Sequence, residues 1–170
     1  MKFEVVVSLL FFSVAALGQL HQPITHVEAC RIFSDAIVQV TTDQMSGTGF
    51  IVSSDGWIIT ALHVVADPDT LTPYDNPRIA IKGQRNQIPA EIASPIDKLA
   101  SIRDVVILKI DKTQLPELEL GSESEVESGE ELSVIGLPLS AIFRMSSLPI
   151  PKFCMRGTVA AQTAFPQLRR

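Results

Sequence analysis

Residues 46–65 read SGTGFIVSSDGWIITALHVV. Two apolar runs, 47–53 and 57–61, flank Ser54-Asp55-Gly56. Short strand-like runs joined by an Asp-Gly turn predict a β-hairpin. Gly47 and Gly49 flank Thr48, so the backbone there can approach a neighbour closely or bend sharply. The second run leads through Thr60-Ala61-Leu62 to His63. A histidine just past a strand end is held rigidly at its backbone while its ring can still reach a cleft. That suits a general base, which must lie within hydrogen-bond reach of the proton it removes.

The same strand signals continue on both sides of this hairpin. AIVQVTT (36–42) alternates β-branched residues, and RIAIKG (78–83) with QIPAEIAS (87–94) reads as another pair around a polar turn. DVVILKI (104–110) is a near-continuous apolar run, which predicts a strand buried on both faces. ELSVIGLP (131–138) and FCMRGTVAA (153–161) are the last strand candidates. No segment after the N-terminal run carries a convincing helical stripe, and residues 19–33 read as a polar leader. Many short strands separated by turn signals predict an all-β barrel or sandwich.

The chain has 170 residues, 46% hydrophobic and 19% charged, enough for one ordinary domain with a core. The net charge is −5 and no Lys/Arg cluster occurs, so nothing favours nucleic acid or an anionic membrane. The acidic run ESEVESGEE (123–131) is broken by Ser, Val and Gly and reads as a solvated loop edge. Lys2 followed by VVVSLLFFSVAAL and a small-residue exit predicts a secretory signal peptide over residues 1–18, cleaved after Gly18. The apolar run is too short for a spanning helix, so an exported protein without a membrane anchor is expected. Export makes a disulfide chemically open to the two cysteines, Cys30 and Cys154. Either they pair, pinning the N-terminal segment, or each acts as a small buried hydrophobe, which is slightly preferred. His21, His26 and Cys30 fit no standard metal spacing, and neither a metal nor a cofactor is expected. Trp57 is expected in the core or at a contact between barrels.

A base histidine needs an orienting carboxylate, which fixes the ring tautomer and stabilises the imidazolium formed during reaction. Asp104 stands at the mouth of the apolar run 104–110, where a carboxylate is costly unless partnered. Its rivals, Asp97 beside Lys98 and Asp111 beside Lys112, read as ordinary surface charges.

These residues together resemble the trypsin-like serine peptidases, especially the HtrA/Deg branch. SGTGFIVSSDGWIITALHVV resembles that family's histidine region, and Asp104-Val105-Val106-Ile107-Leu108-Lys109 its aspartate strand. GEELSVIGLP (129–138) and RGTVAA (156–161) resemble strands of the second barrel. The first block is highly specific and the other three are individually weak. The resemblance implies a trypsin-like six-stranded β-barrel over 34–112 carrying His63 and Asp104, a linker over 113–129, and the start of a second barrel over 130–170. It implies a serine endopeptidase in which His63 is the base and Asp104 its orienter, acting on a polypeptide substrate.

Two departures add bulk beside that pair. Leu62 stands where the family has a small residue, and Val106 where it has alanine. Either repacking absorbs them or the pair is no longer held tightly. A third departure is larger. The family's nucleophile lies in G-[ND]-S-G-G, whose glycines aim amide N–H groups at the oxyanion, and no serine here sits in that motif. The nucleophile is expected in a further serine-bearing segment, leaving this chain truncated and inactive alone. The alternative is a secreted, non-catalytic peptidase-like binding module or degenerate fragment. The hairpin over 131–161 is then expected to carry unpaired edges and exposed apolar faces.

Overall fold

The structure, a computed structural model, describes residues 24–82, 84, 86–122, 124, 126–137 and 152–160. The signal peptide expected over residues 1–18 lies outside them. Helix α1 (His26–Phe33) and one 3₁₀ turn (Ser34–Ala36) lead into strands β1 (Ile37–Thr41), β2 (Ser46–Ser53) and β3 (Trp57–Thr60). The short helix α2 (Leu62–Val65) follows, then β4 (Arg78–Ala80), β5 (Ile88–Pro89), β6 (Glu91–Ile92), helix α3 (Lys98–Arg103) and β7 (Val106–Lys109). Strands β8 (Glu131–Gly136) and β9 (Phe153–Thr158) complete the described elements.

The first seven strands form one antiparallel sheet in the order β5-β4-β1-β2-β3-β7-β6. The apolar run around residue 88 is not one strand but two. Ile88 and Pro89 pair with β4, while Glu91 and Ile92, beyond Ala90, pair with β7. Strands at opposite ends of the sheet order are thus consecutive in sequence, and the sheet curls into a nearly closed, barrel-like cylinder of an all-β fold.

The pleat decides what lies inside. Residues at alternate positions point to one face, and directly paired residues share it. The registers Val38↔Gly49, Val40↔Ile79, Ile51↔Ile58, Ile58↔Leu108 and Thr60↔Val106 put one set of side chains in the interior. Val40, Ile51, Ile58, Ile79 and Leu108 are completely buried. Each such side chain stabilises the fold by about 1.5–3 kcal/mol relative to exposure. Gly49 is required here, because a Cβ would meet Val40 at 2.8 Å and Ile58 at 3.0 Å. Strand β7 corrects the expectation of burial on both faces: Val106 and Leu108 are buried, while Ile107 and Lys109 are only partly covered. Trp57 is likewise not in the core. It is exposed on the outer face, donating from Nε1 to Asp55 at 3.1 Å, with the Lys109 ammonium 5.9 Å from its ring centroid.

The Asp-Gly turn forms as predicted, with the Gly56 N–H donating to the Ser53 carbonyl at 3.0 Å. Gly56 has φ +101°, and a Cβ there would lie 2.5 Å from the Ile110 carbonyl.

Helices α1 and α3 are findings the periodicity did not signal. Thr25 and Glu28 make a capping box at the start of α1, and Asp97 accepts from the Ala100 N–H at 2.8 Å to cap α3. Capping, not an apolar stripe, is what these short helices have: neither buries a residue fully. The slight preference for separate buried cysteines is overturned. Cys30 on α1 and Cys154 on β9 form a disulfide, with Cα atoms 5.9 Å apart across 124 positions. Strands β8 and β9 pair only with each other among the described residues, and Leu132, Val134, Phe153 and Met155 are exposed on one face of that hairpin.

Gly56→Ala combines a left-handed φ with a backbone clash and should lower the unfolding free energy by about 2 kcal/mol or more, read from the urea midpoint. The apolar face of β8/β9 should make the 170-residue chain self-associate; Val134→Thr with Met155→Thr should shift it toward monomer in sedimentation.

Candidate active site

Strands β3 and β7 run antiparallel with Thr60 opposite Val106, so the end of one meets the beginning of the other. His63 lies three residues past Thr60 and Asp104 two residues before Val106. The register alone therefore delivers both to the same rim of the cylinder.

Local structure then aims them. In α2, Leu62, Val64 and Val65 are buried and His63 is the exposed residue. Three apolar anchors fix the turn, and the fourth position faces outward. Gly47 makes room for this packing, since a Cβ there would sit 2.5 Å from Val64 Cγ2. Asp104 has φ 51° and ψ 44°, the left-handed conformation that ends α3. Its N–H reaches the Ser101 carbonyl at 3.3 Å and the Val105 N–H reaches that of Ala100 at 3.4 Å, the paired closure of a Schellman ending. Glycine is usual at that position. An aspartate held there costs about 1–2 kcal/mol, and such conformations gather at functional sites. Ser101 Oγ also donates to the Pro68 carbonyl at 2.9 Å, tying α3 to the segment after α2.

The two side chains meet. His63 Nδ1 lies 2.7 Å from Asp104 Oδ2, and the His63 backbone N–H donates to Oδ1 at 3.0 Å. One carboxylate thus holds both the ring and the backbone of the histidine. An ionised carboxylate only accepts, so Nδ1 carries the hydrogen of this contact, and in the neutral ring Nε2 then holds the lone pair. Nε2 has no partner among the described residues. The side chains are 51% and 45% exposed, so the pair is open to an incoming group. Leu62 and Val106, the two bulky departures, are absorbed into the core at 0% and 1% exposure without separating the pair.

The rivals lie elsewhere: Asp97 caps α3 and Asp111 is exposed on the surface. On β2, Thr48 points away from the interior and its Oγ1 accepts from the Leu137 N–H at 2.8 Å, joining the first sheet to the end of β8. Sequence reading singled out the flanking glycines but not this threonine.

His26 and Cys30 do come together, with Cys154, within 4.8 Å of one another. The two sulfurs are bonded to each other, and a disulfide offers no thiolate to a metal. His21 lies outside the described residues.

A trypsin-like peptidase domain model matches residues 47–166. The chain belongs to the trypsin-like peptidase family. A Pseudomonas putida protein named "Probable periplasmic serine endoprotease DegP-like" is 35% identical over 95 residues, covering 56% of this chain and 18% of that protein. A protein of the same name from Hahella chejuensis is 36% identical over 95 residues, with the same coverage. Both relatives are DegP-like by name, so the similarity runs to the HtrA/Deg-like members of that family. The chain therefore spans about a fifth of the length of the curated relatives it matches. The crystal structure of a serine endoprotease from Yersinia pestis shares the fold with a TM-score of 0.62 at 24% identity, covering 82% of this chain and 46% of that one.

Gly47→Ala should push Val64 and, with it, the turn that carries His63, destabilising the fold by about 1–3 kcal/mol. The expected spectroscopic signature is a changed His63 ring signal in NMR, while Gly121→Ala, in open space, should leave both stability and signal unchanged.

Proposed function

We propose that His63 and Asp104 are the general base and its orienting carboxylate in a serine endopeptidase-type site. The observation that carries this is the 2.7 Å contact from Nδ1 to Asp104, which leaves Nε2 as an open acceptor at the rim. With a serine hydroxyl presented to Nε2, the imidazole takes its proton as the oxygen attacks a peptide carbonyl, then returns that proton to the leaving amine. Asp104 keeps the ring in the required tautomer and stabilises the imidazolium between the two transfers. The substrate is a polypeptide.

We further propose that these 170 residues do not hydrolyse peptides unaided. No G-[ND]-S-G-G motif occurs among them, so they hold neither the family's nucleophile nor its oxyanion donors. That same feature favours a second reading, a non-catalytic peptidase-like binding module. An exported location is supported by the signal-like residues 1–18, by the cystine Cys30–Cys154 and by the periplasmic naming of the relatives.

A fluorophosphonate probe tests both statements. The folded 170-residue chain should not label, and labelling would overturn the claim of inactivity. Joined to a serine-bearing segment containing G-[ND]-S-G-G, it should label. His63→Ala should then cut the labelling rate at least 10³-fold, on the order of what triad removal costs. Labelling indifferent to His63→Ala would reject the base assignment; no labelling in any joined chain would favour the binding module.

A further inference from the structure

Helix α1 has no fully buried residue, with Ala29 and Phe33 half-buried, so apolar packing alone does not fix its position. Its ties are polar and covalent. His26 Nδ1 lies 2.7 Å from Ser133 Oγ on β8, the Lys152 ammonium donates to the Ser34 carbonyl, and Cys30 is bonded to Cys154 on β9. The register explains why these share a face: Ser133 pairs with Arg156 and Ile135 with Cys154. The apolar Leu132, Val134, Phe153 and Met155 lie on the opposite face. The helix is thus pinned to the polar side of the hairpin by a single covalent bond.

That bond is chemically accessible. His26, Cys30 and Cys154 are all half-buried. Cys30 Sγ lies 3.6 Å from Nε2 and 3.8 Å from Nδ1 of His26, one helical turn away. The other charges on that sheet face, Arg156 and Glu131, are engaged with each other at 3.6 Å. On the helix itself, Glu28 is engaged with Thr25 and Arg31 is exposed.

We propose that Cys30–Cys154 is an exchange site for a dithiol reductant, with His26 as proton donor to the departing Cys30 sulfur, and that reduction unclasps α1 from the β8/β9 hairpin. An incoming thiolate attacks Cys154 Sγ. The Cys30–Cys154 bond breaks and its electron pair passes to Cys30 Sγ, which takes a proton from the His26 imidazolium. The reductant is left in mixed disulfide with Cys154. Its second thiolate attacks its own bonded sulfur, closing a cyclic disulfide and releasing Cys154 as a thiolate that solvent protonates. Two electrons pass from dithiol to cystine, leaving two thiols on the protein.

The experiment is dithiothreitol reduction of the purified full chain at neutral pH, followed by thiol alkylation and mass spectrometry. The untreated chain should show no alkylated cysteine; two modified cysteines would overturn the site. His26→Gln, which keeps a partner for Ser133 but cannot deliver the proton, and His26→Ala should both slow reduction about ten-fold. The difference should vanish in guanidinium, where the ring and the sulfur are no longer held together. Equal or faster reduction of the folded variants would overturn the role of His26. Trypsin cleavage after Arg31 should accelerate at least ten-fold once the bond is reduced, and equally in Cys30→Ser. Unchanged cleavage, or a Cys30→Ser chain that loses its sheet signal in circular dichroism, would overturn the unclasping.

Discussion

The pairing of Thr60 with Val106 is the constraint on which the rest of the site depends. Antiparallel strands place the end of one beside the start of the other, so residues far apart in sequence arrive at one rim without any further device. The interior supplies the force that holds this register. Shifting either strand by one residue would turn Ile58, Val106 and Leu108 out of the core. A polar pair at the surface is thereby positioned by apolar burial beneath it. The half-exposed His63–Asp104 contact does not need to hold the fold together.

Much of this is legible in the sequence. The hairpin around Asp55-Gly56 announced itself through turn chemistry, and the alternation in residues 36–42 announced a strand with one buried face. His63 was visible because a motif, not a lone residue, surrounded it. Asp104 stands at the mouth of the strand run, as the sequence suggests, but its conformation comes from elsewhere: it is the left-handed terminus of α3, and the strand begins two residues later. The missed features share a cause. Helices α1 and α3 have eight and six residues and bury nothing completely, so they leave no periodic apolar signal. Their caps, Thr25 with Glu28 and Asp97, were the available evidence. The Cys30–Cys154 bond depends on a meeting across 124 positions, which spacing cannot report. Of the two places expected for Trp57, the core is excluded: large aromatics are usually covered, and here the outer face of the hairpin suffices with a carboxylate and an ammonium beside it.

The bulk of Leu62 and Val106 shows how family expectations and packing interact. Both positions border the His63–Asp104 pair, and both were candidates for disturbing it. In the structure each side chain points inward, away from the contact, and joins the buried cluster. Larger side chains close to a site disturb it only when their volume is directed at it. What a position's size does therefore depends on the face it occupies, which the strand and helix periods assign.

The segment from Ile88 to Ile92 serves both margins of the cylinder with only Ala90 between them, and the Ala90 N–H is itself spent on the Pro77 carbonyl at 2.9 Å. Such a seam has no slack. A peptide graft or a new chain terminus introduced there would part the two margins. Anyone wishing to tag, split or permute this chain should treat residue 90 as the stitch that keeps the tube shut.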